Sequence, residues 1–254
     1  MRNATVLWQT DSRGVATVTL NRPEVNNAYD EALIQGLHDA MDALKTARLV
    51  VLRGAGRHFQ AGADLKWIRD VASKDQDENE RASRATAMAV HRLNTLAVPT
   101  VALVQGGCFG GGTGIVAACD VVIAADNALF SIAETRWGLT AAIILPQLAD
   151  AIGARQVRRY ALSGERFGAE EARRIGLVHE VVPLGELESA GAKMVEQLLQ
   201  NAPQANAETK ATALRFAWGL ADLDGLITAH AAKRRSAEAA EGLASFVEKR
   251  AARW

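Results

Sequence analysis

The sequence predicts a mixed α/β protein built from short strand-strand-helix turns, with a helical segment appended after them. Runs of branched and small residues recur along the first half, at 15–20 (VATVTL), 49–54 (LVVLRG), 100–106 (TVALVQG) and 120–125 (DVVIAA), each bounded by turn chemistry. Between them, apolar residues return at helical spacing: Leu33, Leu37, Met41 and Leu44 in one stretch, and a helix-forming composition over 81–96 in another. From about residue 184 to 254 the pattern is wholly helical and rich in Ala, Glu, Lys and Arg.

The elements follow in order. NRPEVNNA after the first strand is turn chemistry, and Asp30 is placed to cap the helix that starts at Glu31. The charged stretch 77–82 (DENERA) reads as a solvated helix start or loop, and Pro99 ends the element before the strand at 100. The glycine run 106–114 (GGCFGGGTG) then turns the chain into a short helix. No sequence period is exact enough to be a repeat.

At 254 residues and 49% apolar composition the chain can bury one substantial core, or a main domain with a smaller appendage. Lys+Arg and Asp+Glu both total 29, so nucleic acid has no basic track to follow and is not an expected partner. The two cysteines, Cys108 and Cys119, match neither a disulfide framework nor a zinc site. No apolar run reaches the roughly 20 residues that cross a bilayer. MRNATVLWQT enters a strand-like pattern at once, so the expected location is cytoplasmic, without a membrane partner.

The glycine run lacks the lysine and hydroxyl of a phosphate loop and the spacing of a dinucleotide fingerprint. It does offer unhindered backbone N–H groups at a helix start, where a developing oxyanion can be held. A second such place occurs at 58–68 (HFQAGADLKWI), where Ala61, Gly62 and Ala63 precede a helix start at Asp64. Either segment alone also reads as a tight strand-to-helix turn with no ligand.

Taken together, these segments give the chain a resemblance to the enoyl-CoA hydratase/isomerase (crotonase) family over nearly its whole length. The stretches TLNRPEVNNA, GRHFQAGADL, PTVALVQGGCFGGGTGIVAACDVVIAADNALFSIAE, ALSGERFGAEEARRIGLVHEVVP and the ending FVEKR carry it. The resemblance implies a crotonase-like spiral of repeated β-β-α units over 1–190, and a C-terminal helical region, 191–254, that packs subunits as a homotrimer or a hexamer of paired trimers. It implies an acyl-CoA substrate whose thioester carbonyl sits between the N–H groups of Ala63 and Gly111. No metal or redox cofactor is expected, CoA arriving as part of the substrate. Val25 and Ala28, together with Ala61, Ala63, Asp64 and Leu65, correspond to the family's CoA-binding surfaces. Phe246 and Lys249 correspond to residues that reach the nucleotide end of CoA, often from a neighbouring subunit.

The family's hydratases carry two glutamates, and here the first position is Gly114 while the second is Glu134. Glu134 is the expected general acid/base; the alternative is a surface glutamate paired with Arg136. Loss of the first acid leaves hydration, a Δ3-Δ2 double-bond shift, decarboxylation and non-catalytic acyl-CoA binding as the reactions or roles to separate. The stretches 130–153 and 158–167 look most like bacterial methylglutaconyl-CoA hydratase-type members of leucine or acyclic-terpene breakdown, which suggests a branched or carboxylated acyl chain. Arg136 would meet a distal carboxylate or serve in a structural ion pair. Trp67 and Trp137 wall the acyl pocket or pack in the core. No catalytic role is needed for His38, His58, His91, His179 or His230.

Overall fold

The computed structural model describes residues 5–44 and 46–254. Strands β1 (Val6–Thr10) and β2 (Val15–Leu20) form an antiparallel hairpin whose turn is held by Asp11, its carboxylate accepting from the N–H groups of Arg13 and Val15. A short 3-10 turn at Pro23–Val25 leads to helix α1 (Glu31–Ala43), capped by Asp30 Oδ1, which accepts from Leu33 N–H at 3.0 Å. Strand β3 (Leu49–Gly54), helices α2 (Leu65–Ala72) and α3 (Gln76–Asn94), and strand β4 (Thr100–Val104) complete the next turn of chain. Then come β5 (Gly107–Phe109), α4 (Gly111–Ala117), β6 (Val121–Ala125) and β7 (Leu129–Ser131). Helix α5 (Leu145–Ser163), kinked at Gly153, is followed by β8 (Phe167–Gly168), α6 (Ala169–Ile175) and β9 (Glu180–Val182).

The strands form two sheets, one of six strands in the order β1-β2-β3-β4-β6-β9 and one of three in the order β5-β7-β8. Beyond the first hairpin every pairing in the larger sheet is parallel. From β4 onward the chain alternates between the sheets, β5 and then β7 and β8 falling in the smaller one and β6 and β9 in the larger, which fits the expected spiral. The larger sheet is covered on both faces. Ala16, Val18, Leu52, Ala102 and Val122 meet α1 and α3 on one side, while Val51, Val101, Leu103 and Ile123 meet α7 (Leu187–Leu199) on the other. Burial on both faces explains why these strands read as continuous apolar runs.

Helices α8 (Pro203–Ala217), α9 (Leu223–Lys233) and α10 (Ala237–Glu248) follow, as the helical composition of 184–254 predicts. They contribute little to the core and leave Phe216, Leu220, Leu223, Ile227, Leu243 and Phe246 exposed. Among the described residues no helix is long and apolar enough to cross a membrane.

The stretch 77–82 is the solvated helix start of its two readings: Asp75 caps α3 by accepting from Glu78 N–H at 2.8 Å, ahead of the helical composition at 81–96. One local expectation changes. The glycine run does not pass directly into a helix. It first gives β5, bracketed by Gly106 and Gly110 at φ of +58° and +51°, and only then α4.

Candidate active site

Two strand-to-helix turns and one short helical turn meet around a cavity of about 620 Å³. The first is 60–64. Gln60, fully buried, accepts from Gly62 N–H through Oε1 at 2.9 Å and donates from Nε2 to Gly62 carbonyl at 3.0 Å, fixing Gly62 at a φ of +88°. Asp64 then starts α2, its Oδ1 accepting from Lys66 N–H. The second turn is 109–111, leading from β5 into α4.

A backbone ladder ties the two turns together: Gln60 N–H donates to Gly107 carbonyl and Phe109 N–H donates to Gln60 carbonyl. Their glycines pack so closely that a methyl group on Gly62 would stand 3.2 Å from the Phe109 carbonyl oxygen and 4.0 Å from Gly110 Cα. The Ala63 and Gly111 N–H groups, one on each turn, have no acceptor among the described residues, and both residues line the cavity. Two free donors on abutting turns are what an oxyanion needs.

The third segment carries the acid. Gly110 N–H donates to Ser131 carbonyl at 2.8 Å, docking the end of β7 against the glycine turn, and the chain continues into the 3-10 turn Glu134–Trp137. Glu134 is half-buried, and its Oε1 would lie 3.1 Å from a methyl group on Gly110. Its Oε2 is buried without a hydrogen-bond partner. Burial pushes the carboxyl above its usual range, opposed only by its own backbone N–H. No ion pair with Arg136 forms among the described residues, so the surface salt-bridge alternative for Glu134 does not hold. Glu134 is the only carboxylate among the described residues lining the cavity.

Gly114 is buried in α4, and a Cβ there would stand 2.3 Å from Ile144 Cγ2 and 2.6 Å from Ile144 Cβ. The volume that a first acid would need is occupied by Ile144, and no carboxylate besides Glu134 lines the cavity among the described residues.

Of the remaining expected residues, Ala61 and Leu65 line the cavity. Asp64 is engaged otherwise, capping α2 and lying 3.5 Å from Arg22. Val25 and Ala28 lie beyond the cavity wall, at the turn preceding α1, while Phe246 and Lys249 sit at the end of α10, Phe246 being 83% exposed. Trp137 lines the cavity mouth, and Trp67 instead meets Tyr29 edge-on at 5.8 Å. His58 braces the glycine run, its Nδ1 accepting from Gly107 N–H at 2.8 Å, and none of the five histidines lines the cavity.

Sequence reasoning missed three residues here. Asn27, fully buried, donates to the carbonyls of Ala55, His58 and Phe59, fastening the NRPEVNNA turn to the first oxyanion turn. Gln60 braces that turn as described. The third, Tyr29, lies between the two turns. Each is a polar side chain beside a glycine or turn motif, the one signal that pointed to it.

Residues 10–254 match the sequence profile of the family described as Enoyl-CoA hydratase/isomerase. The chain belongs to this family. Hydroxycinnamoyl-CoA hydratase-lyase of Pseudomonas fluorescens is 37% identical over 196 residues, covering 75% of this chain and 71% of that protein. The 2,3-dehydroadipyl-CoA hydratase of Escherichia coli (strain K12) is 33% identical, covering 93% of each. Among solved structures, an enoyl-CoA hydratase from Shewanella pealeana superposes with a TM-score of 0.93 at 32% identity, covering 100% of this chain and 97% of that one. The crotonase fold expected from the motifs is therefore the fold of the chain, and the cavity described above is the candidate active site of an enoyl-CoA hydratase/isomerase family member.

Proposed function

We propose that the protein adds water across the double bond of an α,β-unsaturated acyl-CoA, with Glu134 as the only acid/base. The observation that carries this is the half-buried, unpaired Glu134 carboxylate facing a cavity edged by two unclaimed backbone N–H groups. The thioester oxygen sits between Ala63 and Gly111 N–H. Glu134 takes a proton from water, the resulting hydroxide oxygen bonds to the β-carbon, and the electron pair of the double bond moves through the α-carbon onto the thioester oxygen. The enolate then collapses as Glu134 returns its proton to the α-carbon, so that one water is consumed and the enzyme is restored. A carboxyl raised by burial suits both halves, since it gives up its proton more readily at neutral pH than water and accepts one more readily than an exposed carboxylate. Preorganised donors at the oxygen make the enolate accessible.

CoA lies along the turns that contain Val25, Ala28, Ala61, Ala63 and Leu65, with Phe246 and Lys249 of a neighbouring subunit at its nucleotide end. The exposed apolar residues of α8–α10 support a homotrimer, or a hexamer of paired trimers, as their cover, within the region 191–254 that follows the 1–190 spiral. Both thiols are buried and unpaired, which fits work in the reducing cytoplasm.

The acyl chain is branched or carboxylated, of the methylglutaconyl type. Arg136 and Arg166 line the same cavity as Glu134 and neither is in an ion pair among the described residues; Arg166 lies over the Phe109 ring, 5.4 Å from its centroid. Two cations without an anion at the wall of an acyl site suit a distal carboxylate. A Δ3-Δ2 double-bond isomerase is the second reading, favoured by Ile144 filling the place of the first acid, because proton shuttling needs one carboxylate and no water.

Mass spectrometry of products from 3-methylglutaconyl-CoA, crotonyl-CoA and a 3-enoyl-CoA separates these readings. Gain of one water, lost in Glu134→Gln, is expected. Unchanged mass with a moved double bond transfers the protein to isomerisation, CO₂ loss makes it a decarboxylase, and CoA binding with no turnover makes it a binding subunit. Preference for crotonyl-CoA over the methylglutaconyl thioester would remove the carboxylated-substrate assignment.

A further inference from the structure

We propose that the Tyr29 hydroxyl is a third hydrogen-bond donor to the thioester carbonyl oxygen, working beside the N–H groups of Ala63 and Gly111. The inference rests on the thioester reading above and adds a side chain to it.

Tyr29 touches both donor turns. Its backbone is laddered onto the first: Tyr29 N–H donates to Gly62 carbonyl at 2.9 Å and its carbonyl accepts from Asp64 N–H at 2.8 Å, so Tyr29 pairs directly with Ala63. Its ring lies against the second. A methyl group on Gly111 would stand 2.5 Å from Tyr29 Cε1 and 3.3 Å from Cζ, the carbon that bears the hydroxyl. Only a glycine at 111 admits the ring at that distance. The other side of the ring meets Trp67 edge-on, with an interplanar angle of 66°. A ring held from two sides presents its hydroxyl in a fixed direction.

Tyr29 lines the cavity, and its hydroxyl makes no hydrogen bond among the described residues. Tyr29 is half-buried and its hydroxyl oxygen is not sealed from its surroundings, so an oxygen of a ligand in the cavity is a partner it can take. Burial, and then the Glu134 charge, push the phenol up to about 12, so that it is a neutral O–H through the working pH range. The division of labour is then plain: Glu134 moves protons, and three neutral donors hold the oxygen where negative charge develops.

The test is Tyr29→Phe, which keeps the ring against Gly111 and Trp67 and removes one O–H. Difference infrared spectroscopy of bound [1-¹³C]butyryl-CoA, a saturated thioester that cannot be hydrated, reads the polarisation of the carbonyl directly. Wild type is expected to shift the C=O stretch down on binding, and Tyr29→Phe to lose about one third of that shift, with turnover of the preferred enoyl-CoA falling about 10²-fold and KM nearly unchanged. An equal shift in both proteins overturns the proposal. If turnover falls while the shift stays equal, the hydroxyl holds the water instead and the carbonyl assignment is wrong. A wild type that binds the thioester without any shift removes the oxyanion reading itself, a result distinct from loss of the Tyr29 contribution alone. Thermal melting of the variant, expected close to wild type, separates a lost hydrogen bond from a damaged fold.

Discussion

The contact between Gly114 and Ile144 can be tested by a double-mutant cycle on stability. A Cβ at 114 would fall 2.3 Å from Ile144 Cγ2 and 2.6 Å from its Cβ, and the second distance cannot be relieved by a rotamer change, because Cβ moves only with the backbone. Overpacking of this kind costs about 1–3 kcal/mol. Alanine in place of glycine within a helix returns about 0.8–1.0 kcal/mol, so Gly114→Ala alone is expected to lose up to about 2 kcal/mol. At roughly 2–4 °C per kcal/mol for a chain of this size, the melting temperature falls by up to about 8 °C. Ile144 is only 2% exposed, and Ile144→Gly, which removes the Cβ as well as the branches, is expected to cost at least about 2–5 kcal/mol through the cavity it leaves. In that background the added methyl at 114 enters free space and only the helix-propensity gain remains, so Gly114→Ala becomes stabilising by about 1 kcal/mol. Urea denaturation of the four proteins gives the coupling, expected at about 1–3 kcal/mol. Additivity within about 0.5 kcal/mol would refute the claim that Ile144 occupies the place of a first acid.

Glu134→Gln is expected to lower turnover by about 10²–10⁴-fold while raising stability at pH 7. The sign follows from the raised carboxyl: its favourable contribution to folding is complete below the ordinary value of 4.5 and is lost as pH rises through the folded-state value, so the charged form opposes folding at neutral pH. Urea melts at pH 7 and pH 4 should therefore show the variant's advantage shrinking in acid. For the same reason the acid limb of kcat/KM, measured in wild type across pH 4–8, is expected to lie above 4.5. Gln60→Ala removes both bonds to Gly62, and about 10²-fold lower turnover from a displaced Ala63 N–H is expected in steady-state kinetics. Light scattering of Leu243→Glu/Phe246→Glu, which charges the exposed face of α10, should show a smaller assembly than wild type; an unchanged mass would exclude that face from the subunit contact.

Strands β1–β4 and β6 and the helices α1, α4 and α8–α10 were legible because their signals are local: branched runs buried on two faces, the Asp30 cap, glycines at a helix start, and a continuous helix-forming composition. The start of α3 stayed open between helix start and loop because the Asp75 cap acts ahead of a charged stretch that has no apolar period of its own. Strand β5 was hidden inside the glycine run. A three-residue strand of Gly, Cys and Phe has no alternation to read, and its pairing partner β7 lies 22 residues further along. At the site, Ala63, Gly111 and Glu134, all of which line the cavity, were singled out by motif position. Gln60, Asn27 and Tyr29 were not, since their roles come from atoms brought near by the fold: a glycine carbonyl two residues on, three carbonyls about 30 residues away, and a glycine in another turn. Ile144 behind Gly114 is of the same kind. A missing acid is visible in the sequence, and what fills its volume is not.

A carboxylate that is half-buried, unpaired and facing an apolar wall works against folding, and the structure shows how that cost is sustained. Glu134 begins a 3-10 turn whose preceding strand is docked by the Gly110–Ser131 hydrogen bond, and the glycine turn is itself laddered to 60–62 and braced by His58. These main-chain bonds fix the backbone from which the acid projects. The same ladder sets the spacing between the carboxylate and the two free N–H groups. A fold that fixes the base and the donors through one set of main-chain bonds leaves the acyl wall, including Arg136, Trp137 and Ile144, outside that set. Those wall residues can then vary while the spacing of the carboxylate and the two N–H groups stays constant, a division that suits a family described by both hydratase and isomerase activity.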